Sequence, residues 1–121
     1  MDYDRNNVFA RILRGELPSK KVYEDEYALA FHDIRPLAPV HVLVIPKGEY
    51  VSFDDFIAKA RAAEITGFFR AVGEAAKRLG VAGPGYRLLS NHGEDAHQEV
   101  AHFHVHIFAG RSLGAMLPRS G

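Results

Sequence analysis

Apolar residues recur along this chain with two different periods, and the switches between them divide it into elements. Val8, Phe9, Ile12 and Leu13 fall at helical spacing between Asn6 and Arg14, and Gly15 follows where a helix end favours it, so a short first helix is predicted. Lys21–Glu24 and Tyr27–Asp33 are β-leaning runs parted by the acidic turn Asp25-Glu26, which reads as a hairpin. The two prolines of Arg35-Pro36-Leu37-Ala38-Pro39 remove backbone donors and fix φ, so regular structure stops there. Val40–Ile45 is apolar apart from His41 and ends at Pro46, as expected of a buried central strand.

From Ser52 to Leu79 the apolar positions Phe56, Ile57, Ala60, Ile65, Phe68, Phe69, Val72, Ala76 and Leu79 return at helical spacing. Ser52 and Asp55 form a possible capping pair, and Lys77, Arg78 and Gly80 close the run, which predicts one long helix. Tyr86–Ser90 and His102–Phe108 supply two more strands around a polar loop, Asn91–Gln98. The sum is an α+β fold, an antiparallel sheet of about five strands with one long and one short helix.

Composition narrows the partners more than it narrows the fold. A chain of 121 residues with 47% hydrophobic content supports one core, so residues 1–121 are read as a single domain. Fifteen basic residues balance fifteen acidic ones, which leaves no field to gather long nucleic acid, and any bound anion should be small and locally held. The absence of cysteine removes disulfides, thiolate metal sites and a cysteine nucleophile. The N-terminus is acidic and polar and no apolar run is long enough to span a membrane, so a cytoplasmic protein without a membrane partner is expected.

Three of the seven histidines, His102, His104 and His106, alternate within the apolar run His102–Phe108. On a strand, alternate residues share a face, so the three imidazoles line one side while Phe103, Val105 and Ile107 pack on the other. Each buried imidazole nitrogen needs a partner, and fold stability alone gives no reason to repeat that demand three times. Two chemistries suit such a row. A metal could be held by neutral imidazoles, although the outer pair stand about 13 Å apart at Cα along an extended strand, so a zinc site would need two of them plus His41 or a carboxylate. Alternatively, neutral His104 could attack phosphorus, with His102 and His106 orienting it or stabilising charge as imidazolium neighbours. No metal or other cofactor is expected on this second reading, which the geometry favours.

The run HFHVHIF fits the alternation of histidine and apolar residues of the histidine-triad family, and the chain resembles the Hint branch of that family from Asn7 onward. FHDIRPLAPVHVLVIPK at Phe31–Lys47, GYRLLSN at Gly85–Asn91 and QEV at Gln98–Val100 extend the likeness. The resemblance implies a homodimer whose sheets join, and purine nucleoside phosphoramidase activity on a purine nucleotide of the AMP or GMP type through a nucleotidylated His104. It implies that Asp33 accepts ribose hydroxyls, that Val8, Phe9, Ile12, Phe31 and Ile34 line the base pocket, and that His41, Asn91, Gln98, Glu99, His104 and His106 surround the phosphate and leaving group. His102, His104, His106 and His41 are the implied catalytic set.

Two positions depart from the family pattern. His97 stands where many relatives carry glycine, and Glu99 where animal members carry a serine able to donate to the leaving group. An ionised Glu99 cannot donate, which moves that expectation to the Gln98 amide. Two rivals stay open: a dinucleoside polyphosphate hydrolase, and a nucleotide sensor without catalysis. The C-terminal stretch GRSLGAMLPRSG resembles the Hint tail, implied to shape leaving-group choice across the dimer.

Overall fold

Asn7 opens the first helix in the way its side chain allows: its Oδ1 accepts the Ala10 N–H at 2.9 Å, and α1 runs over Val8–Leu13 before Gly15 turns left-handed at φ 77°. These features belong to a computed structural model that describes residues 2–118. The hairpin follows as β1 (Lys21–Glu24) and β2 (Ala28–His32), its turn held by Asp25, whose Oδ1 accepts the Tyr27 and Ala28 N–H groups at 2.8 and 3.0 Å. After the proline segment comes β3 (Val40–Pro46), then α2 (Phe53–Lys59), α3 (Ala62–Leu79), β4 (Arg87–Leu89), a 3-10 turn at Glu94–Ala96, and β5 (Val105–Ala109).

The strands form one antiparallel sheet in the order β1-β2-β3-β5-β4, so the expected five-stranded α+β architecture is present. β3 is central, paired with β2 through Phe31↔Leu43 and with β5 through Leu43↔His106. On one face, Ala30, Val42, Val44, Val105 and Ile107 pack against Phe56, Phe68, Val72 and Ala75 of α2 and α3. On the other, Leu29, Phe31, Leu43 and Ile45 pack against Phe9 of α1 in a smaller cluster.

Two expectations need correction. The predicted long helix is broken at Ala60 and Arg61, both extended with ψ 146° and 157°. A continuous helix over that span would be roughly 40 Å long, nearly twice the roughly 23 Å of β3, and its far end would bury nothing. The break folds it back: the Glu64 carboxylate accepts the Arg61 backbone N–H at 3.4 Å to start α3, and the Phe56, Phe68 and Phe103 rings meet with centroids 4.9 to 5.3 Å apart. The second correction concerns β5, which enters the ladder at Val105 rather than His102. Residues 102–104 are tied instead to neighbouring loops, with Phe103 N–H donating to Tyr50 O at 2.7 Å and Ser90 Oγ to His104 O at 2.8 Å. The alternation of faces survives, since Phe103 lies in the helix-side core while His102 meets Phe9.

Candidate active site

The histidine row sits on the α1 side of the sheet, where β5, β3 and the loop before β5 meet. His102 is fully buried, with Nε2 2.9 Å from the Pro46 carbonyl and Nδ1 2.6 Å from the Tyr3 hydroxyl. A carbonyl can only accept, so the proton of neutral His102 is on Nε2, and Nδ1 accepts from Tyr3. The His102 carbonyl in turn accepts from His104 Nδ1 at 2.7 Å. With its proton committed there, neutral His104 turns a lone pair outward on Nε2, which makes no hydrogen bond among the described residues. Phe9 closes one side of this ring edge-on, 4.9 Å between centroids.

The same elimination settles the other end of the row. Leu37 N–H donates to His41 Nδ1 at 3.1 Å, so His41 carries its proton on Nε2 and gives it to His106 Nδ1 at 2.9 Å. His106 is then protonated on Nε2, a donor facing the region beside His104, whose ring lies 5.1 Å away. Phe108 stacks on His106 and lies 4.2 Å from His41, which holds both rings in place. Asp33 bridges strand and loop: Oδ1 accepts Arg35 N–H at 2.8 Å, while Oδ2 approaches His41 Nε2 at 3.5 Å.

Burial sets the charge state. Desolvation holds His102 and His106 down at about 4, and lowers His41 and His104 as well, against the opposing pull of Asp33 on His41, His104 and His106. The expected imidazolium neighbours are therefore corrected to neutral ones: His106 acts as an N–H donor, and His102 orients His104 through its carbonyl without its ring reaching the site. Neutral His41 also makes its contact with Asp33 a polar one rather than an ion pair.

The remaining predicted residues fall into two groups. Phe9 and Phe31 are buried in the smaller core with Ile12 half-buried against it, whereas Val8 and Ile34 are exposed, Ile34 to 94%. Asn91 is half-buried after β4, and exposed Glu99 is close enough to His104 to bias its protonation. Gln98 is not free to donate to a leaving group as expected. Its amide nitrogen donates to the Val51 and Val100 carbonyls at 2.7 and 3.1 Å, and its Oε1 accepts Gly93 N–H at 3.0 Å, which makes it the brace of the loop. His97, beside it, is left-handed at φ 56°, the conformation glycine adopts without cost.

Asp33, His41 and His106 bring one ligand atom each within 4.8 Å of one another, with one histidine of the row where the zinc reading called for two. Their hydrogen bonds oppose an ion. A cation on His41 Nε2 would displace the proton to Nδ1, where it would face the Leu37 N–H, donor against donor. Tyr3 and Leu37, which partner the Nδ1 atoms of His102 and His41, were not legible in the sequence, since neither a lone tyrosine near a terminus nor a backbone amide leaves a motif. Two hollows, of about 170 and 220 Å³, are lined by Glu26, Lys47, Arg61 and Glu64 and by Arg87, Arg111 and Ser112 respectively, and contain none of the histidines.

This fold, with an alternating row of histidines held in fixed tautomers, matches known proteins along nearly its whole length. The chain belongs to the histidine-triad family: the HIT domain profile matches residues 14–113. It is 68% identical over 117 residues to an uncharacterized HIT-like protein of Azospirillum brasilense, covering 97% of this chain and 96% of that one. It is 39% identical over 114 residues to the purine nucleoside phosphoramidase of Escherichia coli, covering 94% and 95%. Among solved structures, a HIT family hydrolase from Clostridium thermocellum superposes with a TM-score of 0.86 at 40% identity, over 95% of this chain and 99% of that one. A histidine triad protein from Clostridium difficile superposes at 0.80 with 38% identity over the whole of both chains. No helix among the described residues is long and apolar enough to cross a membrane.

Proposed function

We propose that the protein hydrolyses purine nucleoside phosphoramidates through a nucleotidylated His104. The observation that carries this reading is the pair of assigned nitrogens: an unbonded His104 Nε2 lone pair with its other nitrogen pinned to a carbonyl, beside a His106 Nε2–H donor. His104 Nε2 forms a bond to the α-phosphorus as the P–N bond to the leaving amine breaks, and the amine leaves with a proton taken from solvent water, which is returned to solvent when a second water attacks the nucleotidylated His104. Water then displaces His104, giving the nucleoside monophosphate and the free imidazole. His106 donates to a phosphoryl oxygen throughout, and its charge neutrality avoids the cost of burying a cation in the sheet.

Asp33 Oδ2 is the acceptor for the ribose, with Oδ1 spent on its turn, so the capping and binding roles are compatible. Val8, Ile12 and Ile34 flank the base over Phe9 and Phe31. An ionised Glu99 beside His104 repels a polyphosphate leaving group and tolerates an amine, which favours the phosphoramidate over the dinucleoside polyphosphate reading. The same reading includes a cytoplasmic homodimer that joins two sheets. Of the two edges, β1 carries Lys21 and Glu24, whereas β4 is three residues long with Leu88 exposed, so β4 is the edge offered for joining. The tail would then reach the partner's site. It is tied on its own chain by Arg87 donating to Gly114 O at 3.1 Å, and its residues 119–121 lie outside the described residues.

Turnover of adenosine and guanosine phosphoramidates alongside dinucleoside polyphosphates, with and without EDTA, tests the reading. Phosphoramidates should be the better substrates and EDTA without effect. Preferential cleavage of polyphosphates, or activity lost with a chelated metal, would move the function to the corresponding rival, and binding without turnover would leave a sensor.

A further inference from the structure

The N-terminal segment before α1 is built as a bracket, not a loose lead-in. Asp4 accepts the Asn6 N–H on its side chain at 2.8 Å, and its backbone carbonyl accepts Asn7 N–H at 3.1 Å and Asn7 Nδ2 at 2.8 Å. Arg14, at the end of α1, reaches back to the Arg5 carbonyl at 2.7 Å. This double tether carries Tyr3 over the histidine row, where its hydroxyl meets His102 Nδ1 at 2.6 Å and the rings lie edge to face at 5.5 Å. Tyr3 stands eleven residues before the start of the matched family domain at residue 14.

We infer that Tyr3 is a positioning residue for the nucleophile. His102 is fully buried and has two nitrogens to satisfy. The Pro46 carbonyl takes the proton of one, and the Tyr3 hydroxyl supplies the only donor that reaches the other among the described residues. Without that donor, Nδ1 is a buried lone pair with no partner, and the ring gains by turning or tilting to recover one. The His102 backbone follows its ring, and with it the carbonyl that pins His104 Nδ1 and aims Nε2 outward. Tyr3 thus acts two steps from the reacting atom: hydroxyl to His102 ring, His102 carbonyl to His104 ring. This rests on His104 as the nucleophile for its effect on turnover, but the hydrogen-bond chain itself can be read without any substrate.

The test uses the full chain labelled with ¹⁵N in histidine and compares wild type with Tyr3→Phe. In multiple-bond ¹H–¹⁵N spectra the wild type should show His102 protonated on Nε2 with a hydrogen-bonded Nδ1. In Tyr3→Phe the His102 Nδ1 resonance should move toward that of a lone pair without a hydrogen bond, and the His104 Nδ1–H resonance should move with it. On a phosphoramidate substrate kcat should fall by about threefold to tenfold, the worth of one neutral hydrogen bond, with KM within about twofold. Unmoved His102 and His104 resonances would overturn the inference, as would moved resonances with an unchanged kcat. Should Tyr3→Phe not fold, a fluorinated tyrosine placed at position 3 keeps the shape and sharpens the donor, and His102 Nδ1 should then shift in the opposite direction; no shift overturns the inference equally. If the wild type turns over no nucleotide at all, the proposed function falls, and the paired resonance shifts still decide whether Tyr3 holds His102 and, through it, His104.

Discussion

The two faces of the central sheet spend their buried volume differently, although the same strands supply both. On the helix side, Val42, Val44, Val105 and Ile107 meet Phe56, Phe68 and Phe103, and the only requirement is shape. On the α1 side, His41, His102 and His104 are buried as deeply, and each must have a specific partner at a specific nitrogen. Among the described residues no buried side-chain nitrogen or oxygen lacks one. The lesson is that the apolar face makes the fold stable, while the polar face fixes which imidazole nitrogen is free, and these two properties can be broken separately.

Removing His104 should separate them most widely. His104→Ala deletes the attacking nitrogen, and turnover should fall by roughly a thousandfold or more while nucleotide affinity changes by less than about tenfold, as steady-state kinetics and equilibrium binding would show. Phe68→Ala is its counterpart on the helix side, where a fully buried ring leaves a cavity and should cost about 3–5 kcal/mol in denaturant unfolding. The surviving folded fraction should keep its kcat. Equal loss of kcat per folded molecule would show that the faces are coupled.

Mild acid should then attack the polar face first, before the Asp55 and Glu64 carboxylates, held below their ordinary range by hydrogen bonds from Lys59 and Tyr50, begin to protonate. The histidines there bind a proton less readily when folded than when unfolded, so their stabilisation is complete above about pH 6.5 and is lost as pH falls toward 4. For His102, with its folded value at about 4, that loss is on the order of 3 kcal/mol, and Phe68→Ala should show the same pH slope as wild type. The acid limb of kcat/KM should lie below 6.5, since His104 is depressed by burial. The smallest effect belongs to the loop: His97→Gly relieves a left-handed φ of 56° but adds chain entropy, for a gain of no more than about 1 kcal/mol in thermal unfolding.

Much of the fold was legible because local chemistry and tertiary need agree there. The left-handed Gly15 after α1, the Asp25 turn, the apolar run of β3 and the left-handed Gly80 after α3 all lie where pattern and turn residues put them. The long helix was misread because the apolar period continues across Ala60 and Arg61, and only the limited length of the sheet requires the break. At the site, alternation was enough to place the histidines on one face, but not to assign their tautomers. Those depend on the Pro46 and His102 carbonyls, the Leu37 amide and the Tyr3 hydroxyl, of which only the last is a side chain, distant by 99 positions from its partner. Gln98 was misassigned for the same reason, since nothing in its sequence neighbourhood shows that both donors reach Val51 and Val100.

The central claim is that His104 Nε2 bonds to phosphorus, and the most direct measurement is rapid acid-free quench with a phosphoramidate labelled in its α-phosphate, followed by peptide mass spectrometry. The label should appear transiently on the peptide containing His104, reach its maximum before the monophosphate accumulates, and be absent from the His104→Ala protein. Turnover at the wild-type rate with no label on His104 at any time would mean that water attacks the substrate directly and that the histidine row only binds the phosphate.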